Sequence, residues 1–262
     1  MISALLYPYG KNKRSVLSKV LISEVTHTRY NTTYQTEMGT KEEIAEAVAD
    51  VIMDEYEKVL IERYVKTNYS FMEKSEQEGI VAEAEFIRRE TNGVDFPSYE
   101  QRKRLVKHEL LKYLEETELV VPCGFVDFRF RQMYFWVEGI VAKGADMFFE
   151  KKEYEEFTYL LSMFVATKES KEEVIHVVWE DTVRLYNKRG RDVTKKYEKE
   201  FFNAARKNNL SDEDLVISAV IAAAPKKIVL HSPPETPLAG ALGKIYQENC
   251  KICRGCNVCK RY

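Results

Sequence analysis

The hydrophobic pattern of this chain begins on a strand-like period, turns helical at Thr40 and returns to strands beyond residue 170. Residues 1–39 are rich in Thr, Tyr and Val, and Val16 to Tyr34 predicts one or two strands. Thr40-Lys41-Glu42-Glu43 then fits a capping box, in which the first and fourth residues satisfy each other's backbone N–H groups. Ile44, Val48, Val51, Ile52, Tyr56, Val59 and Leu60 follow on helical spacing. Ser70-Phe71-Met72-Glu73 opens a second predicted helix that runs to Arg89. Thr91-Asn92-Gly93 with Pro97 breaks it. Ser98-Tyr99-Glu100-Gln101 caps a third, with Leu105, Leu110, Leu111 and Leu114 on its face. Pro122 and Gly124 break the chain again, and two further helices are predicted over 126–149 and 152–167. Phe128, Tyr134, Phe135, Trp136, Ile140, Phe148 and Phe149 on the first of these suggest the centre of a helical core, since periodic aromatics are usually packing.

The last third alternates between strands and helices. Val174 to Trp179 and Val183 to Tyr186 are β-rich runs separated by Glu180-Asp181-Thr182, a predicted hairpin that ends at Asn187 to Gly190. Helices follow at 192–208 and 212–223, the second capped by Ser211 and stopped by Pro225. Lys226 to His231 reads as a short buried strand, 237–248 as a helix with Pro237 in its first turn, and 249–253 as a last short strand. The fold class is α+β: a mainly helical region over 1–169, with strands in 1–39, then an α/β region over 170–262 holding a β-hairpin and a βαβ unit. The boundary falls at Lys168-Glu169-Ser170-Lys171.

Composition adds exclusions. Of the 262 residues 45% are apolar and 31% charged, which supports a packed core and argues against disorder. A net charge of -2 gives no global pull toward nucleic acid or anionic membrane. No apolar stretch reaches the roughly 20 residues of a membrane span. Lys11, Lys13 and Arg14 follow the apolar start, the reverse of a signal peptide's order, so the expected location is cytoplasmic. In that compartment clustered thiols are reduced, metal-bound or catalytic.

Such a cluster ends the chain. Cys250, Cys253, Cys256 and Cys259 recur every three residues, and only Cys123 lies elsewhere. Four thiolates suit Zn²⁺ or an iron–sulfur cluster, although structural zinc sites usually draw C-x-x-C pairs from separate knuckles. A C-x-x-C unit also suits a dithiol redox pair. An unoccupied tail is the plain alternative. Lys251, Arg254, Lys260 and Arg261, with no acidic residue among them from Cys250 onward, would offset thiolate charge, and Gly255 lets the chain turn.

His231 is the candidate fifth member. If 226–231 and 249–253 are parallel strands joined by a right-handed helical crossover, both end on one sheet edge, where α/β sites gather. The plain alternative is a strand-end histidine bonded to backbone. Lys188-Arg189-Gly190-Arg191 with Lys195-Lys196 reads as a solvated turn before a phosphate site. Arg102-Lys103-Arg104 with Lys107 reads as a helix's wet face, and Asp212-Glu213-Asp214 as a helix first turn. No phosphate-binding glycine loop, nucleophile elbow or H-E-x-x-H occurs.

Three segments in order resemble the YtxC family of sporulation proteins. They are Gly124-Phe125-Val126-Asp127-Phe128-Arg129 followed by the long helix and Glu150 to Phe157; Asp214 to Ala219 running into Ala224 to His231; and the C-x-G-C-x-x-C ending from Cys253 to Cys259. The resemblance covers about 120–262 and implies an endospore-forming source and a role in sporulation, without a mechanism. Cys250 lies outside the family-like ending, which points to three cysteines with His231 as fourth ligand. The reading is of a metal-binding interaction or regulatory protein with an unidentified protein partner. A thiol-redox or metal-dependent enzyme at the His231/Cys253–Cys259 edge, and a nucleic-acid-binding protein, are the alternatives.

Overall fold

The computed structural model describes residues 2–6, 24–27, 32–36, 40–90, 96–179, 182–204, 212–231 and 237–255. They fall into two compact units, Met1–Lys151 and Lys152–Tyr262.

In the first unit β1 (Ile2–Leu6), β2 (Glu24–His27) and β3 (Thr32–Thr36) pair antiparallel in the order β2-β3-β1. The short β4 (Leu119–Val120) adds in parallel beside β1. β1, β2 and β3 all lie within the expected strand-bearing region 1–39, and β2 and β3 overlap the narrower stretch Val16 to Tyr34. Helix α1 (Lys41–Val51) starts at the expected capping box: the Glu43 N–H donates to Thr40 Oγ1 at 3.3 Å and the Thr40 N–H to Glu43 Oε2 at 2.8 Å. Residues Ile52–Tyr56 wind as a π-helix and lead without a break into α2 (Glu57–Asn68). α3 spans Lys74–Glu90, starting four residues later than the sequence suggested. α4 (Tyr99–Glu116) carries the second expected capping box, Ser98 with Gln101.

These helices bury one apolar cluster that includes Ile52, Met53, Ile61, Ile80, Leu110, Met133 and Ile140. Within it lies a charged knot. Glu57, Arg88 and Arg102 are fully buried. Arg102 Nε donates to Glu57 Oε1 at 3.0 Å, and Arg88 Nη1 donates to Glu57 Oε2 at 3.3 Å. The guanidiniums also donate to three backbone carbonyls, those of Met53, Pro97 and Arg88. Burial pushes the Glu57 carboxyl up against the pull of Arg102 and Arg88. The wet-face reading of Arg102 is therefore corrected: it lies on the stripe of Val106, Leu110 and Leu114, while Arg104 and Leu105 face solvent.

The expected break at Pro122 is instead a helix start. α5 (Pro122–Phe128) has proline in its first turn, where a missing N–H does no harm. Its Asp127 accepts from Tyr56 at 2.8 Å and from Tyr134 at 2.6 Å. The two helices expected over 126–149 and 152–167 are one, α6 (Gln132–Thr167). Nothing between Phe149 and Lys152 can stop a helix, since Glu150 and Lys151 are good helix formers. Trp136 and Ile140 enter the core as foreseen, but Phe128 and Phe135 are exposed. Gly144 presses on α3 so closely that a Cβ there would lie 2.8 Å from the Ala84 backbone nitrogen.

In the second unit β5 (Glu172–Trp179) and β6 (Val183–Asn187) form the expected hairpin. α7 (Thr194–Ala204) and α8 (Asp212–Ala223) precede β7 (Pro225–His231), which lies parallel to β5. α9 (Pro237–Tyr246), a 3₁₀ turn at Gln247–Asn249 and β8 (Cys250–Ile252) complete the βαβ unit, with β8 parallel to β7. The sheet order is β6-β5-β7-β8. Ile175, Val177, Ile228 and Leu230 share one buried cluster with Tyr197 of α7, Val220 of α8 and Leu242 of α9.

Candidate functional site

Alternate residues of a strand point to opposite faces of its sheet. In β5, Ile175 and Val177 belong to the core cluster beneath the helices, so His176 and Val178 face the other way. β7 repeats the pattern: Ile228 and Leu230 point to the core, Val229 and His231 away from it. The parallel register pairs His176 with Val229 and Val178 with His231. The two histidines are thus diagonal neighbours on one face, 55 residues apart in the chain.

His176 Nδ1 and His231 Nε2 lie 2.9 Å apart. The rings sit 5.2 Å apart between centroids and are tilted by 39°. His231 is 8% exposed and His176 is half-buried. With both rings neutral, one nitrogen carries the proton and the other offers its lone pair. Burial pushes both imidazoles toward that neutral form, and for His231 the charge of His176 adds to the effect. Neutral imidazole is the metal-ligating form.

The cysteines meet this face unequally. Cys250 pairs with Ile228 and packs half-buried against the core cluster, where burial pushes its thiol up. Ile252 pairs with Leu230, and the Cys253 N–H then donates to the Leu230 carbonyl at 2.9 Å. Cys253 therefore leaves β8 next to His231 at the end of the parallel strands. Its Sγ accepts from the Gly255 N–H at 3.4 Å, and Gly255 has φ +114°, a conformation that favours glycine. Cys256 and Cys259 lie outside the described residues. Among the described residues, no group of three or more His, Cys, Asp or Glu side chains could hold a metal ion.

The structure thus brings His231 and Cys253 to one edge and turns Cys250 toward the core. It adds His176, which sequence reasoning passed over as an ordinary member of a β-rich run. The signal was present, because the period of two that makes Ile175 and Val177 core residues leaves His176 on the other face.

The remaining features behave as local structure. Lys188 Nζ pairs with Glu173 at 2.7 Å, and the Asn187 side chain accepts from the Arg189 and Arg191 N–H groups. Asp212, Glu213 and Asp214 open α8. A groove of about 600 Å3 lies at the opposite ends of the strands, between the end of α6, the α8–β7 junction and the 3₁₀ turn. Its lining includes Ala224 at φ +40° and Gln247 at φ +46°. Each follows the end of a helix, where left-handed caps are common. No described helix is long and apolar enough to cross a membrane.

A family model described as the YtxC-like family matches residues 42–251. The match reaches back to α1, far beyond the segments that carried the sequence resemblance, and it ends before Cys253. No curated protein and no solved structure matches the chain.

Proposed function

We propose that this chain, which belongs to the YtxC-like family, is a sporulation-related, metal-binding interaction or regulatory protein. Its metal, Zn²⁺ or an iron–sulfur cluster, is held at the edge where β7 and β8 end. His231, Cys253, Cys256 and Cys259 supply the ligands, while Cys250 belongs to the core. The reading is supported above all by the parallel β7–β8 pairing, which delivers Cys253 beside His231. Bound metal would tie the tail to the sheet edge and so add to the stability of the α/β unit. The interaction role draws on α6, whose Phe157, Leu160, Met163 and Phe164 are at least half exposed, as apolar surfaces that meet partners often are.

Elemental analysis with absorption spectroscopy on protein purified anaerobically without chelator tests this reading. Stoichiometric zinc, or iron with the brown absorption of a cluster, is the expected result. Metal-free protein that also takes up no metal on titration would sink it.

A further inference from the structure

We propose that the exposed seam of α6 is a self-pairing surface, on which α6 of a second copy of this chain lies antiparallel. This rests on the interaction role given to α6 above and names its partner.

The seam is built on a helical period. Within Lys152–Tyr262, α6 turns one sector toward its own unit: Thr158 is buried, and Leu161 and Val165 pack against the core cluster. Phe157, Leu160 and Phe164 occupy a sector about 100° round the helix. They are 58%, 64% and 50% exposed. With the exposed Glu153 and Thr167 they follow the alternating four- and three-residue spacing of a coiled-coil seam. A surface of that period accepts another helix. Among the described residues, α3, α4 and α5 each expose one large apolar side chain, Phe86, Leu105 and Phe128. The helix with a matching seam is α6 itself. A twofold pair, the commonest form of oligomer, covers both seams at once.

Charge fixes the direction. The seam starts beside the exposed Glu153, Glu155 and Glu156 and ends beside Lys168. Lys168 Nζ donates to the Ile221 carbonyl at 3.2 Å and lies 5.1 Å from the centre of the Phe164 ring, which holds its charge at the seam's border. Glu169 and the Lys171–Glu200 pair lie past the end of α6. A parallel pair would set carboxylates against carboxylates. An antiparallel pair with its twofold axis at the level of Ser162 sets Leu160 of each copy beside Phe164 of the other. Glu156 and Lys168 each lie six residues from that level, about 9 Å along the helix. They therefore come level across the pair, and acid meets base at both ends.

The area sets the strength. Aromatic side chains offer about 150–250 Å² each. The exposed parts of Phe157 and Phe164, with those of Leu160 and Met163, give an apolar centre of about 400 Å² per copy, half of the about 800 Å² per partner in a standard interface. The charged flanks supply the remainder, so the pair should dissociate on dilution.

Sedimentation equilibrium of the full-length protein, from low to high micromolar concentration, tests this. A monomer–dimer equilibrium is expected. L160E brings two carboxylates to the apolar centre and should weaken association by about 100-fold or more. E156K and K168E should each weaken it by about 10-fold, and the swapped variant E156K/K168E should recover most of the loss. Added salt should shrink these charge effects but not that of L160E. Circular dichroism confirms that each variant is folded. If the two charge reversals instead add, the antiparallel pair is wrong. If the wild-type chain stays monomeric and L160E keeps its Tm, self-pairing fails while the seam remains open to a different protein. If the wild-type chain stays monomeric and L160E lowers Tm by several degrees, the seam is covered within its own chain and the interaction role fails as well. Elemental analysis decides the metal reading independently of all these outcomes.

Discussion

Glu57 is the most consequential single side chain in the helical unit, and Glu57→Gln tests why. Its carboxylate meets Arg102 Nε at 3.0 Å, Arg88 Nη1 at 3.3 Å and Arg102 Nη2 at 3.4 Å, with all three side chains fully buried. The substitution keeps the shape and one carbonyl oxygen but removes the charge and turns an NH₂ donor toward a guanidinium donor. Removing one partner of a buried ion pair destabilises by about 3–5 kcal/mol, because the remaining charge is left uncompensated. Here two guanidiniums are left. At about 2–4 °C per kcal/mol for a unit of this size, Tm should fall by about 6–20 °C. Thermal unfolding followed by far-ultraviolet circular dichroism reads this directly. Glu85→Gln is the internal comparison. Its carboxylate lies 3.1 Å from Arg88 Nε but is 29% exposed, so its loss should cost about 1 kcal/mol or less. If Glu57→Gln unfolds within a degree or two of wild type, or no lower than Glu85→Gln, the knot does not depend on its central charge.

Two further outcomes follow from the same unit. Gly144→Ala should destabilise by about 1–3 kcal/mol, because its new methyl meets the Ala84 backbone. At Gly79 the nearest atoms are those of the Phe148 ring, a side chain rather than backbone, so urea unfolding should rank Gly79→Ala the milder; the reverse order would refute the close helix approach. Lys103 and Lys107 hold the Glu46 carboxyl down at about 2, against an ordinary value of 4.5. The folded state therefore binds this proton less readily than the unfolded one. The contribution is complete above about pH 4.5 and is lost as pH falls toward 2. With the Glu46 side chain 40% exposed, it amounts to no more than about 1 kcal/mol. Glu46→Gln should therefore lose its stability deficit in urea melts run at successively lower pH, and a deficit that stays constant would count against the pairing.

What could be read from the linear chain depended on whether the signal was local. The Thr40 and Ser98 capping boxes, the β5–β6 hairpin and the parallel β7–α9–β8 unit all rest on neighbouring residues, and the structure contains each. Arg102 was misread because a run of basic residues masks helical phase; its true company lies four, eight and twelve residues on, at Val106, Leu110 and Leu114. The single helix α6 was divided because its charged stretch around Glu150 resembles a loop, although nothing there breaks backbone bonding. His176 was missed for a different reason. Its alternation with Ile175 and Val177 gives its face, but its partner His231 is placed by a register that only the folded sheet defines.

The π-helical turn at Ile52–Tyr56 has an evolutionary consequence. Such a turn typically holds one residue more than an α-helix would. Each helical residue advances the chain by about 100°. The wide turn absorbs that extra residue, so Ile44, Val48 and Ala49 before it and Leu60, Ile61 and Val65 after it face one core. Deleting one residue within the turn would return a plain α-helix with both stripes still in phase, whereas inserting a further residue would rotate one stripe by that angle against the other. Relatives that keep the Glu57 knot should therefore differ in length across residues 41–68 by the loss of one residue at 52–56 and by nothing else.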